Sequence, residues 1–365
     1  MKRLQSTIIF VPSLNYGGAE ISMSRIADYL TNSGIKLYLV VAKSKQSNEV
    51  KINNSDTKVI YLNSRKTLFS IFKLQRLITK LDPDIILSTL PTPNFVIVFL
   101  KFFRLINAKV VVREAYANYL SWDKSLFNKL NKKLSIFAFK HSDGNIFISN
   151  ELKENVHNFI VNQNSTVIYN PVFTHDFFGR ANEQVSEIDK NKILWVTSSR
   201  LEHQKGLDLL FDAIEEIQID YDFEVLVLGS GSKLKEFKNK YKHLPITFVG
   251  NVTNPLKFLN IADLFLFPSR GEGLGNSLIE AEILGLPIIS SDCPTGPKEI
   301  VELFSNGVLF ESENKQDLKR KLSNINYKKT NNVREEAINK FAIDIVGKKY
   351  LTFFEKLLNE KSLSI

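Results

Sequence analysis

Two periodicities alternate along this chain from end to end, and that alternation limits its fold more than any other feature. Short runs rich in Ile, Val, Leu and Phe, of the kind that fill buried parallel strands, are separated by segments whose apolar residues recur at helical spacing. Strand-type runs lie near Thr7–Pro12, Lys36–Ala42, Lys58–Leu62, Asp84–Leu90, Lys109–Arg113, Asn145–Ile148 and Thr166–Tyr169. They recur near Lys192–Thr197, Glu224–Leu228, Thr247–Val249, Asp263–Phe267 and Pro287–Ser291. After the first run, Met23, Ile26, Ala27 and Leu30 sit at i, i+3, i+4 and i+7, with Gly34 placed to stop the helix. Strand, helix and strand in this order build parallel sheets with crossover helices, so the expected fold class is doubly wound α/β.

At 365 residues the chain suits two domains of roughly 150–200 residues. The polar stretch Ala181–Lys190 has no apolar period and marks the join. The expected division is a first domain over 1–172, a linker over 173–190 and a second domain over 191–342. The tail 343–365 contains an amphipathic helix near Ile345–Leu358. Cys293 is the single cysteine, which excludes an internal disulfide and a cysteine metal cluster and fits a reducing compartment. The five histidines show no metal-ligand spacing and no Asp-x-Asp pair follows a strand, so metal-independent chemistry is expected. No apolar run reaches the ~20 residues that span a bilayer, and the Ile8–Pro12 run is too short for a signal peptide. A cytoplasmic location is the expectation.

Charge is unevenly placed. Residues 1–180 carry 24 Lys and Arg against 12 Asp and Glu, whereas residues 181–365 carry 24 against 27. The basic half suits an anionic partner such as a membrane surface or phosphorylated lipid, or else is a solvated lysine-rich surface. No nucleic-acid motif is present, so nucleic acid is not an expected partner. Basic and aromatic residues mix at helical intervals in Lys101–Arg104 and Lys124–Lys140, where a peripheral membrane face or domain core are the two readings.

Four segments at strand ends carry chemistry, since ligands of open α/β sheets collect at carboxyl ends of strands beside helix N-termini. Asn15–Glu20 places Gly17 and Gly18 where a phosphate can approach the backbone, though it lacks the Gly-x-Gly-x-x-Gly dinucleotide fingerprint. Ser198–Leu207 brackets a helix start with Arg200 and Lys205, two cations suited to a diphosphate; a pair of solvated surface cations is the bland alternative. His203 reads as a loop residue. Glu272–Ala281 sets Glu272 and Glu280 eight residues apart around the amides of Gly273, Leu274, Gly275, Asn276 and Ser277. Carboxylates accept from vicinal hydroxyls, so the pair suits a sugar and a ribose. Ser277-x-x-Glu280 also reads as a capping box. Ser290–Ile300, with Cys293 as a small packed residue, shapes the floor and starts a helix at Pro297.

Taken together, Gly17-Gly18-Ala19-Glu20, Ser199-Arg200-Leu201 with Gln204-Lys205-Gly206, Phe248-Val249-Gly250-Asn251-Val252, and the Glu272–Glu280 pair followed by Gly285-x-Pro287 resemble the retaining GT-B glycosyltransferases of family four. Asp292–Pro297 further resembles enzymes assembling bacterial surface polysaccharides and lipid-linked glycans. The resemblance implies two Rossmann-like domains facing across a cleft, acceptor side first and nucleotide-sugar donor side second, with the final helix crossing back to the first domain. It implies that Arg200 and Lys205 meet the donor diphosphate, Glu272 the sugar hydroxyls and Glu280 the ribose. Ser199 and the amides from Gly273 to Ser277 would contact the donor, Asn251 and Val252 the base, and Gly18 the diphosphate. Expected partners are a nucleotide sugar, UDP-linked, and a glycan or polyprenyl-diphosphate acceptor, with no cofactor. Many relatives carry a histidine where this chain reads Arg113-Glu114-Ala115-Tyr116, so the acceptor side is left unassigned. A nucleotide-sugar 2-epimerase and a non-catalytic nucleotide-sugar-binding subunit are the alternatives.

Overall fold

The computed structural model describes the chain except residues 1, 16, 48, 116–125, 158–163, 186–187, 189–191, 219–221, 325–327, 330–331 and 361–365. Tyr16, Tyr116, Lys124, the side chains of Leu126 and Phe127, and part of the Ala181–Lys190 stretch therefore lie outside the described residues. The chain forms two compact units, residues 1–171 with 342–365 and residues 172–341.

The first unit runs β1 (Ser6–Val11), α1 (Gly18–Asn32), β2 (Lys36–Val41), β3 (Lys58–Tyr61), α2 (Ile71–Leu81), β4 (Ile85–Thr89), α3 (Pro91–Phe102), β5 (Lys109–Glu114), α4 (Leu126–His141), β6 (Gly144–Phe147), α5 (Asn150–His157) and β7 (Ser165–Val167). Its strands make one parallel sheet in the order β3-β2-β1-β4-β5-β6-β7. The central strands are buried along almost their whole length, as a parallel sheet covered on both faces requires, which is why they are legible as unbroken apolar runs. Met23, Ile26, Ala27 and Leu30 of α1 are all fully buried.

The second unit runs α6 (Phe177–Ala181), β8 (Ile193–Ser198), α7 (Leu207–Glu216), β9 (Phe223–Leu228), α8 (Leu234–Lys240), β10 (Ile246–Gly250), α9 (Leu256–Ile261), β11 (Leu264–Phe267), α10 (Asn276–Ile283), β12 (Ile288–Ser291), α11 (Pro297–Phe304), β13 (Gly307–Phe310), α12 (Lys315–Ser323) and α13 (Asn332–Phe341). Its parallel sheet has the order β10-β9-β8-β11-β12-β13. Helix α14 (Ile343–Asn359) returns to the first unit, where Val346, Tyr350, Phe354 and Leu357 join the core around Met23, Ile26 and Leu30. Both sheets are therefore doubly wound α/β layers, and each reverses strand order at one point, β1/β4 and β8/β11. No helix among the described residues is long and apolar enough to cross a membrane.

Two elements depart from the sequence expectation. β13 was not foreseen; it is a four-residue strand, half exposed at the sheet edge, carrying Val308, Leu309 and Phe310. Within the stretch expected as linker, Phe177–Ala181 forms α6, with Phe177 and Ala181 buried and Asn254 Nδ2 donating to the Arg180 carbonyl at 2.8 Å.

Helix α10 buries one ionisable group in the core. Glu282 is fully buried; Asn306 Nδ2 donates to Oε2 at 3.3 Å, and Oε1 has no hydrogen-bond partner among the described residues. Burial pushes its carboxyl up to about 8, against which the Asn306 bond works only weakly. A carboxyl whose pKa is higher folded than unfolded stabilises the protein while protonated, and that stabilisation is lost as pH rises through the folded value. Stability of the second unit should fall between the ordinary carboxylate range and about pH 8. Glu282→Gln should flatten that slope in thermal melts run across this window, and should melt higher than wild type above it.

Candidate functional site

The loops that follow β8 and β11 meet at the point where the second sheet reverses its strand order. Gly206 ends the first loop in the left-handed region at φ +65°, and a Cβ there would collide with the Pro268 carbonyl oxygen, so only glycine lets the two loops come this close. Side chains and backbone then bind them together. Gln204 Nε2 donates to the Gly271 carbonyl at 2.6 Å, and the Arg270 amide donates to the Gln204 carbonyl at 2.8 Å. Arg270, buried, donates Nη1 to the His203 carbonyl at 2.6 Å, grips both oxygens of Asp208 at 2.7 and 2.9 Å, and pairs with Glu313. Burial raises the Asp208 pKa, but the hydrogen bonds and charge of Arg270 outweigh it and hold the carboxyl below its ordinary value.

At the centre of this frame Lys205 Nζ pairs with Glu272 Oε1, and Ser269 Oγ donates to the same oxygen at 2.7 Å. Both partners of the pair are largely buried, with side chains 13% and 10% exposed. A buried carboxylate that lost its cation would cost several kcal/mol, so each partner fixes the other's position. The loop after β12 supports Glu272 from below. Thr295 Oγ1 donates to the Glu272 carbonyl, Ser291 Oγ donates to the Ser269 carbonyl, and Gly296, at φ +83°, packs where a Cβ would strike the Gly273 carbonyl. Pro297 starts α11 and Cys293 is buried, as the sequence suggested.

The remaining expected residues lie at other strand ends and helix starts. Arg200 is exposed and Ser199 half-buried at the end of β8, while Leu201 is buried. The Gly229 amide donates to the Gly250 carbonyl at 2.8 Å, joining the ends of β9 and β10 just before exposed Asn251 and half-buried Val252. Gly273 and Leu274 are buried, and Gly275, Asn276, Ser277 and Glu280 half-buried, around the start of α10. The capping box is not formed. Gly275 takes the cap in a left-handed conformation, and Ser277, the second helical residue, instead donates Oγ to the Ser198 carbonyl at 3.1 Å. That bond ties the start of α10 to the end of β8. In the first unit, Gly17 caps α1 in an extended conformation, and a Cβ on it would abut Glu20 Oε2.

Arg113 and Glu114, at the end of β5, are both fully buried. Arg113 donates Nη1 to Thr89 Oγ1 at 3.1 Å and Nη2 to Asn170 Oδ1, and it also bonds the hydroxyl of Tyr350 on α14, whose pKa is raised by burial. Its guanidinium thus holds the first unit's own frame. Sequence reasoning missed Ser269, Arg270 and Asp208, whereas Thr295 lies in the Ser290–Ile300 segment read as the floor. Arg270 and Asp208 are 62 positions apart, and only the adjacency of β8 and β11 brings them together. Among the described residues no group of three or more His, Cys, Asp or Glu is placed to hold a metal ion. Replacing Gly206 with Ala should lower stability by at least about 2 kcal/mol, because strain at positive φ adds to the collision with Pro268. Denaturant titration followed by circular dichroism measures it.

Sequence and fold both have relatives among known proteins. Residues 16–176 match the family model described as Glycosyltransferase Family 4, and residues 179–341 match that described as Glycosyl transferases group 1. The chain is 24% identical to N-acetylgalactosamine-N,N'-diacetylbacillosaminyl-diphospho-undecaprenol 4-alpha-N-acetylgalactosaminyltransferase of Campylobacter jejuni, over 95% of this chain and 100% of that protein. It is 29% identical to an uncharacterized glycosyltransferase of Methanocaldococcus jannaschii, over 65% of this chain and 62% of that protein. Among solved structures, sucrose-phosphate synthase from Thermosynechococcus elongatus superposes with a TM-score of 0.81 at 16% identity, covering 97% of this chain and 99% of that one. Anabaena HepE, solved in complex with UDP-glucose, gives 0.77 at 17% identity, covering 96% and 99%. The two matched segments fall on the two doubly wound units, and the chain is a GT-B-fold glycosyltransferase made of a Glycosyltransferase Family 4 domain followed by a Glycosyl transferases group 1 domain.

Proposed function

We propose that the chain is a retaining hexosyltransferase moving a hexose or N-acetylhexosamine from a UDP-sugar to a glycan or polyprenyl-diphosphate-linked acceptor in surface polysaccharide assembly. The observation that carries this reading is the buried Lys205–Glu272 pair, set with Ser269 where the second sheet reverses order. A cation and a carboxylate locked side by side suit a ligand that is anionic at one end and hydroxylated at the other, which describes a sugar diphosphate. The UDP-glucose bound by HepE supports the donor class, and the activity named for the C. jejuni relative supports the lipid-linked acceptor.

In this reading Arg200, Lys205 and the amides from Gly273 to Ser277 take the diphosphate and the sugar, with Ser199 beside them. Glu272 accepts from sugar hydroxyls, Glu280 from the ribose, and Asn251 and Val252 flank the base. Gly17 and Gly18, which lack side chains at the start of α1, are assigned to an anionic group of the ligand. The bond from the sugar C1 to the diphosphate oxygen breaks while the acceptor oxygen bonds to C1 on the same face. The acceptor proton passes to the departing phosphate oxygen, and UDP leaves. Negative charge grows on that leaving group, so fixed cations lower the barrier without a resident metal. The work would take place in the cytoplasm, at the cytoplasmic face of the membrane when the acceptor is lipid-linked.

Arg200→Ala should cut turnover by ~10²–10³ with an unchanged melting curve, since Arg200 is exposed. Lys205→Ala should cut it comparably and also melt earlier, because it strands Glu272. UDP release and thermal melts read both effects, and near-wild-type turnover in both variants refutes the roles. Glu272→Gln should weaken discrimination between donor sugars more than binding of UDP; competition between two UDP-sugars measures this. An epimer formed from the donor alone would replace this reading with a 2-epimerase. Donor bound but never turned over with any acceptor would replace it with a binding subunit.

A further inference from the structure

On one side of the first sheet, helices α2, α3 and α4 contain no Asp or Glu at all. The chain from 57 to 81, which leads into and includes α2, is equally free of acidic residues. Just ahead of α2 lies a short 3-10 turn, Thr67–Ser70. Here Leu68, Phe69 and Phe72 are 47%, 62% and 78% exposed. They are not spare core residues: the inner face of the same segment is already filled by Thr67, Ser70, Leu74 and Ile78, all buried. Three large apolar side chains held in water within five positions form a patch of the kind that marks a contact surface. Around them stand Arg65, Lys66, Lys73, Arg76 and Lys80, all exposed.

We propose that the segment Arg65–Lys80 docks the first unit on an anionic lipid bilayer, with Leu68, Phe69 and Phe72 entering the interface and the surrounding cations resting on headgroup phosphates. The two signals reinforce each other, since a single apolar anchor binds a membrane only marginally and needs a basic patch beside it for stable attachment. A second copy of the chain fits poorly as the occupant. A two-fold contact through this patch would set its five cations against the same five cations. The sequence had pointed to Lys101–Arg104 and Lys124–Lys140. Structurally, Phe137 of α4 packs on Phe95 and Phe102 of α3, with ring centroids 5.6 and 5.5 Å away, so that ring is used within the unit, and Leu130 is the one large apolar side chain of α4 that is exposed among the described residues. Phe102 and Phe103 are 50% and 54% exposed, but unlike Phe69 and Phe72 among the described residues they pack on each other and on Phe99, Phe137 and His141. The docking stands on this surface alone; its purpose, presenting a lipid-linked acceptor, rests on the glycosyltransferase reading above.

Flotation of the full chain with phosphatidylcholine vesicles, with and without phosphatidylglycerol, tests it. The chain should float with phosphatidylglycerol-containing vesicles, stay behind with phosphatidylcholine alone, and be released by high salt. Phe69→Ser with Phe72→Ser should lower partitioning by about tenfold or more. Replacing Arg65, Lys66 and Arg76 with Gln together should lower it roughly a hundredfold, about fivefold per charge. Phe102→Ser with Phe103→Ser should leave most of the binding in place. Circular dichroism checks the fold of each variant, and because Phe69 and Phe72 are exposed their replacement should leave it intact. UDP-sugar turnover on a soluble acceptor is measured alongside. Turnover lost with flotation kept sinks the enzymatic reading and spares the surface. Absent flotation, equal flotation on both vesicles, flotation lost in the Phe102/Phe103 variant instead, or a dimer in sedimentation that Phe69→Ser with Phe72→Ser abolishes would each overturn the docking.

Discussion

Taking a carboxylate out of water requires a partner of opposite charge at contact distance, and Glu272 meets that requirement through Lys205. Much of the second unit's local architecture serves that one contact. The left-handed turn at Gly206 lets the lysine's loop press on Pro268, Ser269 shares the carboxylate oxygen, and Thr295 and Gly296 hold the backbone beneath. Protein groups on several sides hold the pair in place. A group pre-set by its neighbours does not spend binding energy on being arranged when substrate arrives, which is the general advantage of electrostatic preorganisation.

The frame around the pair is itself a charge network, and it works by geometry rather than by net attraction. Arg270 is planar and reaches in several directions, so a single guanidinium can engage Asp208 on α7, Glu313 on the segment between β13 and α12, and a loop carbonyl together. A lysine could not satisfy that set with fixed angles. The same device recurs at Arg113 in the first unit, where one buried guanidinium joins the ends of β4 and β5 to Asn170 and to Tyr350. Each unit thus nails its strand ends with one arginine.

What was legible in the sequence follows from these physics. Buried parallel strands must be apolar along their whole length, so the central strands of both sheets stood out; β13, at an edge, did not. α1 was legible because its apolar face is strictly periodic, and α6 was hidden because five residues give no period. The loops after β8, β11 and β12 could be picked out from their glycines and charges. That Lys205 touches Glu272 across 67 positions could not, since strand order, a tertiary property, puts those loops side by side. The Ser277–Glu280 motif misled because Gly275 already occupies the cap, which left Ser277 to bind β8. Exposure of Phe69 and Phe72 was equally invisible, because their spacing reads like that of any core helix.

Helix α14 carries a consequence for how this protein is made. It supplies Tyr350 and Phe354 to a core shared with residues 4–168, yet it is encoded after the whole of the second unit. The first unit therefore cannot close its hydrophobic interior until translation has passed through the entire intervening sheet. During that interval α1 has an apolar flank with nothing to cover it, while residues 172–341 are already complete. Nascent chains would thus acquire their later-encoded half first, a reversal of the usual order of co-translational folding.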